Sequence, residues 1–276
     1  MENCHKMYYE QPVLWNRDFS KMPAERERIE EIIKIIPPDT HSVLDVGCGN
    51  GYLVNTLIAT VSDRFDRVTG LDSSTEALKY VKSERLQGSI TKLPFDRGSF
   101  DLLTCLEVLE HLPQEDFKRG ICELQRVSRK YIIVTVPNDQ ELRSSQITCP
   151  ECHCVFHPNF HMRRFDKSSL KTLFRDFKLI KAKEIGPTVR ERCYGPLLLI
   201  LYRSWISIKK RPFPAVAICP QCGYGQQKEG NDASGNKSRH HILPVAVSLF
   251  RILATPISRT RVKGKWLLAL YEKAGG

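Results

Sequence analysis

The stretch Ser42-Val43-Leu44-Asp45-Val46-Gly47-Cys48-Gly49-Asn50-Gly51-Tyr52-Leu53 decides the fold. Val43, Leu44 and Val46 make a short apolar run suited to a buried strand. Gly47, Gly49 and Gly51 follow at alternating positions, where the missing Cβ lets the backbone turn tightly and come close to a ligand. Tyr52 to Val61 reads as a helix, so the turn presents a helix N-terminus to that ligand. The spacing is D-x-G-x-G-x-G, with Asp45 at the strand end, and differs from both G-x-G-x-x-G and G-x-x-x-x-G-K-[ST]. No lysine follows the glycines, which argues against a phosphate cradle.

Upstream, Ala24 to Ile36 sets Ile29, Ile32, Ile33 and Ile36 on one helical stripe that Pro37-Pro38 ends. Downstream, Arg67 to Asp72 reads as a second strand ending in an acid. A carboxylate about 20 residues past the glycines can accept protons from both ribose hydroxyls of a nucleoside. Ser73-Ser74 caps a helix expected over Thr75 to Lys82. Strands are predicted at Gly88–Ile90, Ser99–Leu106 and Lys130–Val136, with a helix at Gln114–Val127. Alternating strands and helices predict an α/β fold with a doubly wound, mainly parallel sheet.

Beyond Asn138 the pattern loosens. Residues 139–167 are rich in Cys and His and too irregular for a plain crossover. A helix follows at Lys167–Phe174 and a strand at Phe177–Ile185. Tyr194 to Ile208 is an apolar run broken by Arg203 and closed by Lys209-Lys210-Arg211. Pro214–Ile218 reads as a last strand, Gln226–Arg239 as a polar loop, and Ile242–Leu253 and Trp266–Tyr271 as short helices. The expected organisation is a helical lid over 1–36, a ligand-binding domain over 37–185 and a basic elaboration over 186–276.

The charge is uneven. Residues 1–140 carry 18 Lys+Arg against 22 Asp+Glu, whereas residues 141–276 carry 24 against 9. The basic half suits nucleic acid, an anionic membrane surface or an anionic substrate, and equally a solvated surface. Met1 to Glu10 is unlike a signal peptide, and ten cysteines without one predict a reducing, cytoplasmic setting. Neither late apolar run reaches the roughly 20 residues that span a bilayer, and their basic flanks leave room for peripheral membrane contact.

The glycine turn at 45–51 resembles the first motif of class I S-adenosylmethionine-dependent methyltransferases. Leu93-Pro94-Phe95 with Ser99-Phe100-Asp101, and Leu106-Glu107-Val108-Leu109-Glu110-His111-Leu112, are similar to the "LPF…SFD" and "EVLEHL" blocks of the methyltransferase type 11 group. The resemblance covers about residues 40–140, with a weaker continuation to 175. It implies a seven-stranded Rossmann-like sheet with the last strand antiparallel. It also implies cofactor contacts from Asp45, Gly47, Cys48, Gly49, Gly51, Tyr52, Asp72, Ser73, Ser89, Ile90 and Glu107. One position departs: family members usually carry Asp where Ser89 stands, and a hydroxyl accepts from an adenine amino group without charge assistance.

Glu107-x-x-Glu110-His111 puts two carboxylates and an imidazole where they can converge on one cation. Similar E-x-x-E-H sequences bind metal in ubiquinone-pathway O-methyltransferases and small-RNA 3′-terminal 2′-O-methyltransferases, where a later His joins them. That resemblance implies His161, in Phe160–Phe165, as a fourth ligand for magnesium or another divalent ion. Two other readings stand beside it: His161 as a metal-free general base, and His111 as a packing residue. The catalytic candidates are His161, His157 and His111.

Cys149-Pro150-Glu151-Cys152 and Cys219-Pro220-Gln221-Cys222-Gly223 are two C-P-x-C hooks, the pattern of a tetrahedral Cys₄ zinc site. Cys154, His153 and His157 lie near enough in sequence to replace one ligand. If Pro214–Ile218 were the last strand, Cys219 would leave the sheet at the end away from the active site. The expected activity is O-methylation of a small-molecule, sugar or lipid-linked acceptor. The alternatives are an RNA 2′-O-methyltransferase and a non-catalytic zinc-bearing adaptor.

Overall fold

In the computed structural model, residues 2–143, 145–193, 213–225 and 259–275 are described. The chain opens with α1 (Glu2–Tyr9) and the single turn α2 (Pro12–Trp15). A 3-10 turn at Phe19–Lys21 leads to α3 (Pro23–Ile33), which Pro23 starts in the first helical turn, where its missing N–H costs nothing. Then come β1 (Ser42–Val46), α4 (Tyr52–Thr60), β2 (Arg67–Asp72), the short α5 (Thr75–Leu78) and β3 (Glu84–Gln87). β4 (Phe100–Leu106), a 3-10 turn at Leu109–His111, α6 (Gln114–Val127) and β5 (Ser128–Pro137) follow. The hairpin β6 (Ile147–Thr148) with β7 (Val155–Phe156), the one-turn α7 (Lys167–Lys171) and the long β8 (Phe177–Cys193) and β9 (Arg259–Lys273) complete the described chain.

The main sheet has seven strands in the order β3-β2-β1-β4-β5-β9-β8. β1 to β5 pair in parallel, and β9 runs antiparallel to both β5 and β8. Side chains alternate across it. Leu102, Ile133, Leu268 and Leu270 pack with Ile29 and Ile32 of α3, while Leu103, Ile132, Val134, Leu267 and Tyr271 pack with Leu124 and Val127 of α6. Because helices cover both faces, the parallel strand ends, with their loops, are left to build a site.

The antiparallel last strand is present, but it is β9 and not Pro214–Ile218. Trp266–Tyr271 lies inside β9 and is not a helix. Its six residues run without a polar break because helices bury both faces of the strand, and such a run carries no strand period. The third strand is Glu84–Gln87, ahead of the expected Gly88–Ile90. All four of its residues are exposed at the sheet edge, so it lacks an apolar signal. Helices at 75 and 167 end earlier than expected, at Leu78 and Lys171. The expected features at Tyr194–Ile208, Lys209-Lys210-Arg211, Gln226–Arg239 and Ile242–Leu253 lie outside the described residues. β8 runs through position 185, and β9 returns the C-terminal residues to the sheet. Among the described residues, no helix is long and apolar enough to cross a membrane.

Candidate active site and metal centres

β1 delivers the chain into the glycine turn. Gly47 holds φ +77°, and a Cβ there would sit 2.4 Å from Val108. The N–H groups of Gly47 and Cys48 both donate to the Leu71 carbonyl at the end of β2, at 2.7 and 3.0 Å, which locks the turn beside Asp72. The Asp72 carboxylate is buried, and its oxygens accept from the Gly49 and Ser74 N–H groups, each at 2.8 Å. Each oxygen keeps a lone pair for a further donor. Burial holds the Asp72 carboxyl above the usual range. Asp45 is buried beneath the turn and accepts from Thr104 at 2.6 Å, and burial pushes it up to about 7. Tyr52 starts α4, and Ser73 follows Asp72. Ile90 is buried. The exposed Ser89 hydroxyl shares a hydrogen bond with Thr91 Oγ1 at 2.8 Å and accepts from the Thr91 N–H.

The N-terminal segment lies across this turn. A Cβ on Gly49 would meet the Trp15 ring at 2.8 Å, and Asn50 donates to the carbonyls of Trp15 and Arg17. The Glu10 carboxylate accepts from the Thr75 and Glu76 N–H groups at 3.0 Å and so caps α5. Tyr9 meets His111 edge-on, with ring centroids 5.8 Å apart. Sequence reasoning missed Glu10 and Trp15, because the contacts span 34 to 66 residues of chain.

At the end of β4, Glu107 takes φ +57°, unusual for a residue with a side chain. This turns it out of line with the following 3-10 turn. Glu110, His111 and His161 place one ligand atom each within 4.8 Å of one another, and Glu107 is outside that set. Glu110 is 0% exposed, and neither of its carboxylate oxygens meets a hydrogen-bond donor among the described residues. Burial and the neighbouring Glu107 hold its carboxyl well above the usual range. His111 Nε2 lies 3.7 Å from Glu110 Oε1.

Glu107 is half-buried, and its Oε1 is shut off from solvent with no hydrogen-bond partner among the described residues. Burial pushes its carboxyl up to about 7, against the pull of Arg28 and the Trp266 side chain. It lines a cleft of about 550 Å³ together with Arg28, Gln140, His161, Lys265 and Trp266. Arg28 and Lys265 approach the Trp266 ring at 4.9 and 4.0 Å from its centroid.

His157 and His161 stack, with centroids 4.5 Å apart and rings 11° from parallel. Burial lowers His157 to about 4, and burial with the His157 charge lowers His161 to about 3. His157 Nδ1 accepts from the Asn159 and His161 N–H groups, each at 3.3 Å, so it shapes the loop that carries His161. Gln140 touches both rings, at 2.5 Å from His161 Nδ1 and 3.3 Å from His157 Nε2. No sequence signal marks Gln140.

The four hook cysteines converge, with all four sulfurs within 4.8 Å of one another. Cys149 and Cys222 are 3.6 Å apart and Cys152 and Cys219 3.5 Å, close to the edge of about 3.8 Å in a tetrahedron with 2.3 Å metal–sulfur bonds. The hooks share one backbone pattern. The first Cys N–H donates to the carbonyl five residues on, Cys154 or Tyr224, and its carbonyl accepts from the N–H four residues on, His153 or Gly223. His153 and Gly223 both hold positive φ, at 60° and 75°. Burial raises the Cys219 thiol, but the N–H groups of Cys222 and Gln221 outweigh it and bring the thiol down to about 7. Cys154, His153 and His157 are not in the set. The hooks sit at the same end as His161, which removes the conflict created by reading Pro214–Ile218 as a strand. Ile218 packs with Tyr8 and Phe160.

Residues 44–133 match the family described as "Methyltransferase domain". Over 97 residues the chain is 33% identical to a ubiquinone biosynthesis O-methyltransferase of Albidiferax ferrireducens, covering 31% of this chain and 37% of that protein. A Psychrobacter cryohalolentis protein of the same name is 32% identical over 126 residues, covering 37% and 48%. The chain thus spans less than half the length of these curated relatives. A solved chain from the complex between the Haloferax volcanii Trm112 methyltransferase activator and its methyltransferase candidate superposes with a TM-score of 0.51 at 14% identity, covering 93% of this chain and 92% of that one. That likeness is one of fold.

Proposed function

We propose that this chain, a class I methyltransferase in fold and in its match over residues 44–133, is an S-adenosylmethionine-dependent O-methyltransferase with a divalent ion at its acceptor site and a structural zinc. The observation that carries the acceptor site is Glu110. A carboxyl removed from water, with no hydrogen-bond partner for either oxygen among the described residues, ionises only at high cost unless a cation shares the site, and His111 and His161 complete a ligand set around it.

Asp45, Gly47, Cys48, Gly49, Gly51 and Tyr52 shape the cofactor cradle in this reading. Asp72 would offer its remaining lone pairs to the ribose, and Ser73 and Ile90 would border the nucleoside. Ser89 is already engaged by Thr91 and contributes least. When bound, the cofactor supplies a methyl group on a sulfonium leaving group, and the divalent ion polarises the acceptor hydroxyl. The acceptor oxygen would have to be held in line with the methyl group at about 3 Å. Glu107, which lines the cleft with Oε1 unpartnered among the described residues, would take the hydroxyl proton. The four thiolates of Cys149, Cys152, Cys219 and Cys222 hold zinc and contribute no catalysis, because four protein ligands close the site.

The names of the curated relatives support oxygen as the acceptor atom, and a small-molecule, sugar or lipid-linked hydroxyl fits the cleft. An RNA 2′-hydroxyl is the second reading. It draws on Arg190 and Lys265 at the cleft, whereas Lys263 and Arg261 are already paired with Glu191 and Asp139. The test is a methyl-transfer screen with labelled cofactor across hydroxylated metabolites, glycans, lipids and short RNAs, with and without magnesium. Magnesium-dependent labelling of a hydroxyl compound supports the reading. Labelling unaffected by chelation overturns the metal role, and no labelling in any class overturns the activity.

A further inference from the structure

Residues 8–17 touch two sites that are far apart in sequence. On one side, Trp15 covers Gly49, Asn50 holds the Trp15 and Arg17 carbonyls, and Glu10 caps the loop that follows Asp72. The Ser74 hydroxyl also donates to the Tyr9 carbonyl at 2.9 Å. On the other side, the same segment rests on the cysteine hooks. Tyr8 is buried against Ile218, the residue before Cys219, and meets Phe160 edge-on at 5.0 Å. Gln11 Nε2 donates to the Val216 carbonyl at 3.1 Å. Phe160 in turn touches Phe156 of β7, which packs among Cys149 and Cys219.

We infer that the paired hooks are the docking platform of a lid formed by residues 8–17, so that metal on the cysteines sets the affinity of the glycine-turn site for its cofactor. This rests on the cofactor and zinc readings above. The physical basis is short. Among the described residues, Val216 and Ile218 lie in irregular chain with no sheet partner, and Cys219 and Cys222 tie residues 213–225 to the first hook by converging on Cys149 and Cys152. Without the ion, that convergence is lost and the binding energy that ordered the platform goes with it. Tyr8 and Gln11 then lose their partners, while Trp15 and Glu10, on the same short segment, lose the support that keeps them over the glycine turn. The hooks therefore act on cofactor binding without touching the cofactor, and Tyr8 and Gln11 are positioning residues.

The experiment is a two-by-two titration of S-adenosylhomocysteine by calorimetry on the full chain. Wild type and Tyr8→Ala are each measured zinc-loaded and after removal of the cysteine-bound ion, with magnesium held constant and zinc content checked by elemental analysis. The expected result is a tenfold or greater loss of affinity for zinc-loaded Tyr8→Ala, with its zinc content unchanged. Stripping wild type gives a similar loss, and stripping Tyr8→Ala adds little, because both act through one contact. Losses that multiply, or a stripped wild type that binds as tightly as the loaded one, overturn the inference. If Tyr8→Ala does not fold, Gln11→Leu carries the same comparison, with a threefold or greater loss expected and equal affinity overturning it. A zinc-loaded wild type that binds no S-adenosylhomocysteine overturns the cofactor reading, and a chain without zinc overturns the zinc reading. The inference falls with either, and the two failures are told apart by the calorimeter and the metal analysis.

Discussion

Cys149 and Cys222 face each other with their sulfurs 3.6 Å apart across a sequence gap of 73 residues. The distance is too long for a disulfide, near 2.0 Å, and suits two thiolates on one ion. We expect one zinc per chain by elemental analysis, with four sulfur ligands at about 2.3 Å by X-ray absorption. Cys219→Ser should lower zinc content and open residues 213–225 to proteolysis, with the parallel sheet still folded. Full zinc content in that variant contradicts the assignment.

Glu110 predicts an opposite pair of effects. Without metal its buried carboxylate is a burden, so Glu110→Gln should raise the melting temperature of the metal-free protein, by an amount equivalent to about 1–3 kcal/mol. The same variant should abolish the stabilisation that magnesium or manganese gives wild type. Thermal melts with and without the ion test both halves. A destabilised metal-free Glu110→Gln that still responds to the ion would mean the carboxylate only packs.

Asp45 gives a pH signature. Burial raises its folded-state carboxyl to about 7, against about 4 in an unfolded chain. Between those values the folded protein binds more protons than the unfolded one, so this group's contribution to stability is full below about pH 4 and is lost as pH rises toward 7. Asp45→Asn keeps an oxygen to accept from Thr104 and cannot ionise. Its stability should vary less between pH 5 and 7.5 than that of wild type in denaturant titrations. Identical pH profiles would show that Asp45 ionises freely in the fold.

The parts of the fold legible from sequence are those whose chemistry is local. Asp45 to Gly51 carries its turn in its own spacing, Asp72 ends its strand as expected, and each cysteine hook is a complete turn. Trp266–Tyr271 misled because burial on both faces erases the strand period. The sequence groups Glu107 with Glu110 by the E-x-x-E-H resemblance and by a three-residue spacing that assumes helical backbone, and a φ of +57° breaks that second assumption. Gln140, Glu10 and Trp15 act only through partners far away in sequence, and no local pattern announces them.

The central claim is that the glycine turn and Asp72 hold S-adenosylmethionine. Its most direct test is calorimetry with S-adenosylhomocysteine on wild type, Asp72→Ala and Gly49→Val. Asp72→Ala removes the acceptor of the Gly49 and Ser74 N–H groups along with the ribose contacts proposed for it, and each charged hydrogen bond lost costs about 1.5–3 kcal/mol. Gly49→Val forces a branched side chain onto φ +54° and into the Trp15 ring. The account predicts one site per chain in wild type, at least tenfold weaker binding in Asp72→Ala and none in Gly49→Val. Wild-type affinity retained by both variants would contradict it.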